Sequence, residues 1–158
     1  MPALHRYSTQ ISLPSQAANT EAHAIRLQAP PGRAVRLTEV RLNAPNLTGL
    51  ANAPRLRFML GDARLANGAT PEDGSAAVPA AAGMARASAI VCRGMAGTPN
   101  GSYIGGSDIT ASTAGATSTH VLVEATAPAA SAGQALDVIL STQGSALTTP
   151  TVTVFWEE

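Results

Sequence analysis

Pro30-Pro31-Gly32-Arg33-Ala34-Val35-Arg36-Leu37-Thr38-Glu39-Val40-Arg41-Leu42 is the stretch on which the fold turns. Proline fixes φ and glycine frees it, so the Pro-Pro-Gly corner ends one element and aims the next. Val35 and Leu37 lie two apart, as in a half-buried strand, and so do Val40 and Leu42. The two pairs are out of phase by one residue. One extra residue near Thr38-Glu39, a β-bulge, would return both pairs to the same core face. A strand buried on both faces would give this pattern too, but Arg36, Glu39 and Arg41 speak against it. The rival is a helix with Leu37, Val40 and Ala44 on one side. Strand is preferred.

Working outward, residues 22–29 read as an earlier strand, with Ile25 and Leu27 pointing one way and Arg26 and Gln28 the other. The corner then makes this strand and the next neighbours, paired or facing. Downstream, Arg55-Leu56-Arg57-Phe58-Met59-Leu60 alternates cleanly, its arginines outward. The Ala-rich run 84–93 is ambiguous between helix and a strand ending at Ile90-Val91-Cys92, and strand is favoured. Three more strands follow near residues 120–124, 135–141 and 149–156. In the last, Val152, Val154 and Trp156 share one face while Thr151, Thr153 and Phe155 share the other, as a strand sealing a sandwich would. Residues 61–83 and 94–119 read as two long loops, the second with a tight-turn signal at Pro99-Asn100-Gly101. Residues 1–20 read as a frayed terminus or as an extended arm that orders on a neighbouring subunit, with Ile11 and Leu13 at strand spacing. The expected fold is all-β: an antiparallel β-sandwich, jelly-roll-like, over residues 21–158.

Composition bounds the function. A chain of 158 residues suits one domain that buries about 70% of its unfolded surface. Charged residues make up 13%, well under the usual level of about 25%. Lysine is absent and all ten basic residues are arginine. A GC-rich genome explains this blandly; the functional reading is a surface suited to burial against partners. Residues 1–60 hold seven Arg and two Glu (+5), and residues 61–158 hold three Arg and eight acids (−5). Such polarity suits head-to-tail contacts between like subunits, unless folding intermixes the halves. No basic stripe follows a phosphate backbone, so nucleic acid is not an expected partner. No run approaches a membrane span and no apolar leader core opens the chain, so neither membrane nor secretion is expected.

Chemistry finds little footing. His5, His23 and His120 are far apart in sequence and form no ligand pair, and Cys92 is the only cysteine. Asp62, Asp73 and Asp108 lie in loop-like sequence without an Asp-rich calcium pattern. Ser107 in Gly105-Gly106-Ser107-Asp108 lacks the glycine that completes a nucleophile elbow, since Ile109 stands there. The phosphate-binding loops of nucleotide enzymes are missing. Ten acids leave a paired-carboxylate site open without selecting one. No catalytic residue, metal or cofactor is expected. The outward arginines Arg26, Arg36, Arg41, Arg55 and Arg57 either keep strand faces wet or make bidentate contacts to a partner's carboxylates.

The N-terminal arm, the PPGRAVRLTEVRL strand, the Ala/Gly/Thr-rich loops and the closing TVTVFWEE strand together resemble a tailed-bacteriophage virion protein of the capsid decoration, or cement, type. That resemblance implies a non-enzymatic homo-oligomer, often a trimer, bound to a major capsid protein where capsomers meet, and assembled in a host cytoplasm. Interface candidates are then Ile11, Leu13, Tyr103 and Ile104 together with the five arginines. Deleting residues 1–13 is expected to spare the fold and weaken assembly. A carbohydrate- or surface-binding module and a tail or head–tail component are the alternatives. The scarcity of aromatics, 3% of the chain, counts against sugar stacking.

Overall fold

The structure, a computed structural model, describes residues 4–47, 50, 52–62, 78–79, 87–95, 101–108, 117–121 and 127–158. Among them are eleven strands and no helix. They are β1 (Arg6–Ser12), β2 (Glu21–Gln28), β3 (Val35–Asn43), β4 (Arg55–Asp62), β5 (Val78–Pro79) and β6 (Ile90–Met95). There follow β7 (Gly101–Asp108), β8 (Thr117–Val121), β9 (Ala129–Ala130), β10 (Gln134–Ser141) and β11 (Thr151–Glu157). No helix among the described residues is long and apolar enough to cross a membrane.

Two antiparallel sheets form. One runs β5-β1-β11-β3-β8, with β9 also on β3; the other runs β6-β2-β10-β4-β7. Four of the pairings nest: β1 with β11, β2 with β10, β3 with β8 and β4 with β7. One apolar cluster draws side chains from both sheets, including Tyr7, Leu37 and Trp156 from the first and Ile25, Phe58 and Leu136 from the second. Tyr7 stacks on Trp156 with ring centroids 5.9 Å apart. Burial, reinforced by the Glu158 carboxylate and opposed by Arg33, holds the Tyr7 phenol above the ordinary tyrosine range.

The organising strand is bulged where the sequence requires it. Against β11, Phe155 pairs with Glu39 and Trp156 pairs with Leu37, which leaves Thr38 as the extra residue. Val35, Leu37, Val40 and Leu42 are all fully buried as a result, while Arg41 is exposed. The Thr38 hydroxyl donates to the Phe155 carbonyl at 3.2 Å. The corner before it is a tight turn: Arg33 N–H bonds the Pro30 carbonyl at 3.2 Å and Gly32 has φ +73°. Proline at the second position and a positive-φ glycine at the third are what a type II turn demands. The strands on either side of the corner, β2 and β3, are not paired and lie in different sheets.

Several expectations change. Residues 6–12 are not an arm. They form β1, which lies between β5 and β11 and is paired along its length with β11. Burial of Tyr7 and Leu13 in the common core explains the placement. Loss of residues 1–13 would therefore remove a sheet strand. The last strand, β11, sits inside its sheet between β1 and β3. The second long loop contains β7 and the start of β8. Its Gly- and Ser-rich sequence shows no apolar alternation, but an edge strand can be held by backbone hydrogen bonds alone. Nor does Gly101 close a hairpin, because β6 and β7 lie on opposite edges of one sheet. Most of residues 61–83 lies outside the described residues; within them, 78–79 form β5.

A carboxylate ties the two sheets at one end. Glu158, just past β11, is 6% exposed. It accepts from Ser88 N–H, from Ala89 N–H at 2.9 Å and from Trp156 Nε1 at 3.5 Å. Residues 88 and 89 lead into β6 of the other sheet. Glu158→Ala takes the acceptor from these donors and is expected to cost about 1–3 kcal/mol. Urea unfolding of the variant measures this, and an unchanged midpoint would show the tie to be idle.

Candidate protein interface

The open surface of the first sheet is its outer face, carrying the alternate residues of β1, β11 and β3. In register across β1 and β11 lie Ser8 opposite Phe155, Gln10 opposite Thr153 and Ser12 opposite Thr151. At one end of this face the Phe155 ring sits beneath two guanidiniums. Arg6 is 5.0 Å and Arg41 4.6 Å from its centroid. Both arginines also bond one carboxylate: Arg6 Nη2 reaches Glu39 Oε2 at 2.6 Å and Arg41 Nε reaches Glu39 Oε1 at 2.6 Å. A second pair, Arg36 with Glu157 at 2.6 Å, lies alongside. The strand pairing builds this cluster, since Glu39 faces Phe155 and Arg6 and Arg36 both pair with Glu157. Arg6 and Arg41 keep 43% and 49% of their side chains exposed. Such exposed pairs add little stability, but planar donors held by an aromatic ring are pre-organised to receive a carboxylate.

The sequence candidates scatter across the fold. Arg36 and Arg41 belong to this face. Ile11 is partly buried against the core and Leu13 is buried. Arg57 pairs with Glu21 next to the start of β4, and Arg55 is exposed at that strand's first residue. Tyr103 and Ile104 lie on β7 and not on a loop, and Ile104 is the extra residue where β7 slips against β4. Their side chains fall outside what is described. The charge asymmetry between the chain's halves is partly cancelled by folding, as Arg36–Glu157 and Arg26–Asp137 join the two halves.

Arg26 is the clear correction. It does not keep a strand face wet: it is fully buried on the outer face of the second sheet, opposite Asp137 of β10. Its Nε lies 3.0 Å from Asp137 Oδ1 and its Nη2 donates to Oδ2 at 3.4 Å. His23 Nε2 bonds the same Oδ1 at 2.6 Å. With the carboxylate accepting, Nε2 carries a proton, and the buried Nδ1 has no hydrogen-bond partner among the described residues. A bulge at Ala24 brings His23 onto Arg26's face, since Val138 pairs with Ile25 and Ile139 with His23. Met59, Cys92 and Ile139 share that face and are buried too. The centre of this sheet is thus buried on both sides.

Arg6, Glu39 and Phe155 were missed because each reads as an ordinary outward residue. Their convergence depends on β1, β11 and β3 lying side by side. His23 and Asp137 left a fainter trace: Asp137 is the lone acid in the apolar run Ala135-Leu136-Asp137-Val138-Ile139-Leu140. No group of three His, Cys, Asp or Glu side chains that could hold a metal occurs among the described residues. Neither a family model, nor a curated protein, nor a solved structure matches the chain.

Proposed function

We propose that the protein is a non-enzymatic structural component of a phage virion, a homo-oligomer that decorates and stabilises the capsid through protein–protein contacts. The observation that carries this is the nested pairing of eight strands. A long antiparallel ribbon of β1·β11, β2·β10, β3·β8 and β4·β7, once rolled, adds the contacts β11·β3 and β10·β4, both of which are present. That wiring supports reading the fold as a jelly roll, an architecture that recurs in viral capsid proteins, lectins and cupins. The step from fold to function is by analogy, so surface chemistry must choose. A cupin centre needs clustered imidazoles and acids, whereas among the described residues His23 bonds Asp137 and no group of three that could hold a metal occurs. A lectin needs an open aromatic platform, whereas the Phe155 ring lies under Arg6 and Arg41.

What remains is a Ser/Thr/Gln sheet face ending in a guanidinium–phenyl cluster, suited to carboxylates on a protein partner. Trimeric assembly and a site where capsomers meet follow from the resemblance to decoration proteins. The test is sedimentation of particles assembled from the major capsid protein of the same genome, with this protein added in excess. Saturable co-sedimentation, lost in Arg6→Glu/Arg41→Glu, is the expected result. Protein left wholly in the supernatant would overturn the capsid assignment.

A further inference from the structure

Three loops meet at the end of the molecule away from Glu158, and none carries a charge. They are residues 13–20, 44–54 and 142–150, which join β1 to β2, β3 to β4 and β10 to β11. The nearest charges stand on the rim: Arg55 and Glu21 both pair in register with Ser141, Asp108 pairs in register with Arg55, and Arg57 bonds Glu21. Soluble surfaces are ordinarily studded with charge, and depletion of charge inside a polar rim is the compositional mark of an interface core.

The three loops are also locked together. Gln16 and Leu147 exchange backbone hydrogen bonds at 2.8 and 2.9 Å, and Gly144 N–H donates to Asn19 Oδ1 at 2.9 Å. On the other flank Asn46 bonds both Ala146 O and Thr148 N–H, and Asn52 N–H bonds Ser145 Oγ. Gly144 lies so close to Asn52 that a Cβ there would sit 2.8 Å from Nδ2. Thr149 is held at φ +35°, a conformation that β-branched residues avoid. Leu13, Leu47 and Leu147 peg the loops to the core from below. A surface ordered in advance loses little entropy on docking.

We infer that this charge-free end is where copies of the chain meet one another. Near a rotation axis a side chain faces its own counterpart, so any charge would oppose itself; an uncharged end is what self-contact requires. A sugar ligand fits less well, because none of the three loops contains an aromatic residue for stacking. The inference rests on the self-assembly half of the function proposed above.

The experiment is molar mass by light scattering of the full chain and two double variants, with fold checked by circular dichroism and urea unfolding. Ala18→Glu/Thr148→Glu places charges on exposed residues of two of these loops; Ser8→Glu/Thr153→Glu places them on the first sheet's outer face. The expected result is a multiple of 15.9 kDa for the wild type and the sheet-face variant, and a folded monomer for the loop variant. Like charges at a contact weaken it by about 100-fold or more. Should the loop variant misfold, the near-isosteric Gln143→Glu replaces it. An oligomer that survives the loop charges overturns this surface and leaves self-assembly standing. A wild-type monomer at every concentration overturns both, while the capsid assignment keeps its own sedimentation test. Glycan binding abolished by the loop variant, with no change in mass, would hand the surface to a sugar.

Discussion

Inserting an alanine between Val40 and Arg41 is expected to abolish cooperative folding, whereas deleting Thr38 is expected to spare it. The insertion reverses the phase of the strand beyond it, so Leu42 rotates to the outer face and Arg41 toward the core. An apolar side chain taken out of the core costs about 1.5–3 kcal/mol. Burying Arg41 in exchange adds several kcal/mol more. Together these rival the about 5–15 kcal/mol that holds a domain folded. The deletion is the control: Leu37 and Glu39 already pair with the consecutive residues Trp156 and Phe155, so without Thr38 the strand alternates regularly and keeps its core face. It loses the bond to the Phe155 carbonyl, about 0.5–1.5 kcal/mol. The measurement is urea unfolding followed by Trp156 fluorescence. An insertion variant that unfolds at the wild-type midpoint would show that the facing of β3 does not hold the fold.

Asp137→Ala is the second large effect, expected at about 3–5 kcal/mol. Asp137 and Arg26 have no solvent exposure, and His23 shares the same carboxylate. Removing the acid leaves a buried guanidinium without its counter-charge. Replacing the pair together, Arg26→Met with Asp137→Leu, removes both charges and is expected to recover most of that loss. Denaturant unfolding of the two single variants and the double completes the cycle. Additive losses across the three would mean that the groups do not interact in the folded state.

These two features differ in how well the sequence announced them. The bulge was legible because apolar pairs of opposite phase flank Thr38, and only an inserted residue reconciles them. The facing of β11 was legible for the same reason, as Val152, Val154 and Trp156 alternate with partly exposed neighbours. Arg26 was not, because alternation says which residues leave the core face but not whether the opposite face is wet. An antiparallel sheet usually keeps one face in water, and this sheet does not at its centre. β7 was hidden for a different reason: Gly101, Gly105 and Gly106 carry no side-chain pattern, and its position comes from the edge that β4 offers. The Arg6–Phe155–Arg41 cluster belongs to no single stretch. It exists only once residues more than a hundred positions apart share a sheet.

The nested pairing also dictates when this chain can fold. Arg6 pairs with Glu157 and Ser12 with Thr151, so β1 meets β11 only after every strand between them has been synthesised. Contacts so distant in sequence are reached slowly, because loop closure precedes any reward from pairing. Until then β1 and β3 wait with unpaired edges, and crowded synthesis favours wrong partners. The low charge of the chain offers few side chains to block such encounters. Slow refolding with concentration-dependent loss of yield is the kinetic signature that this topology carries.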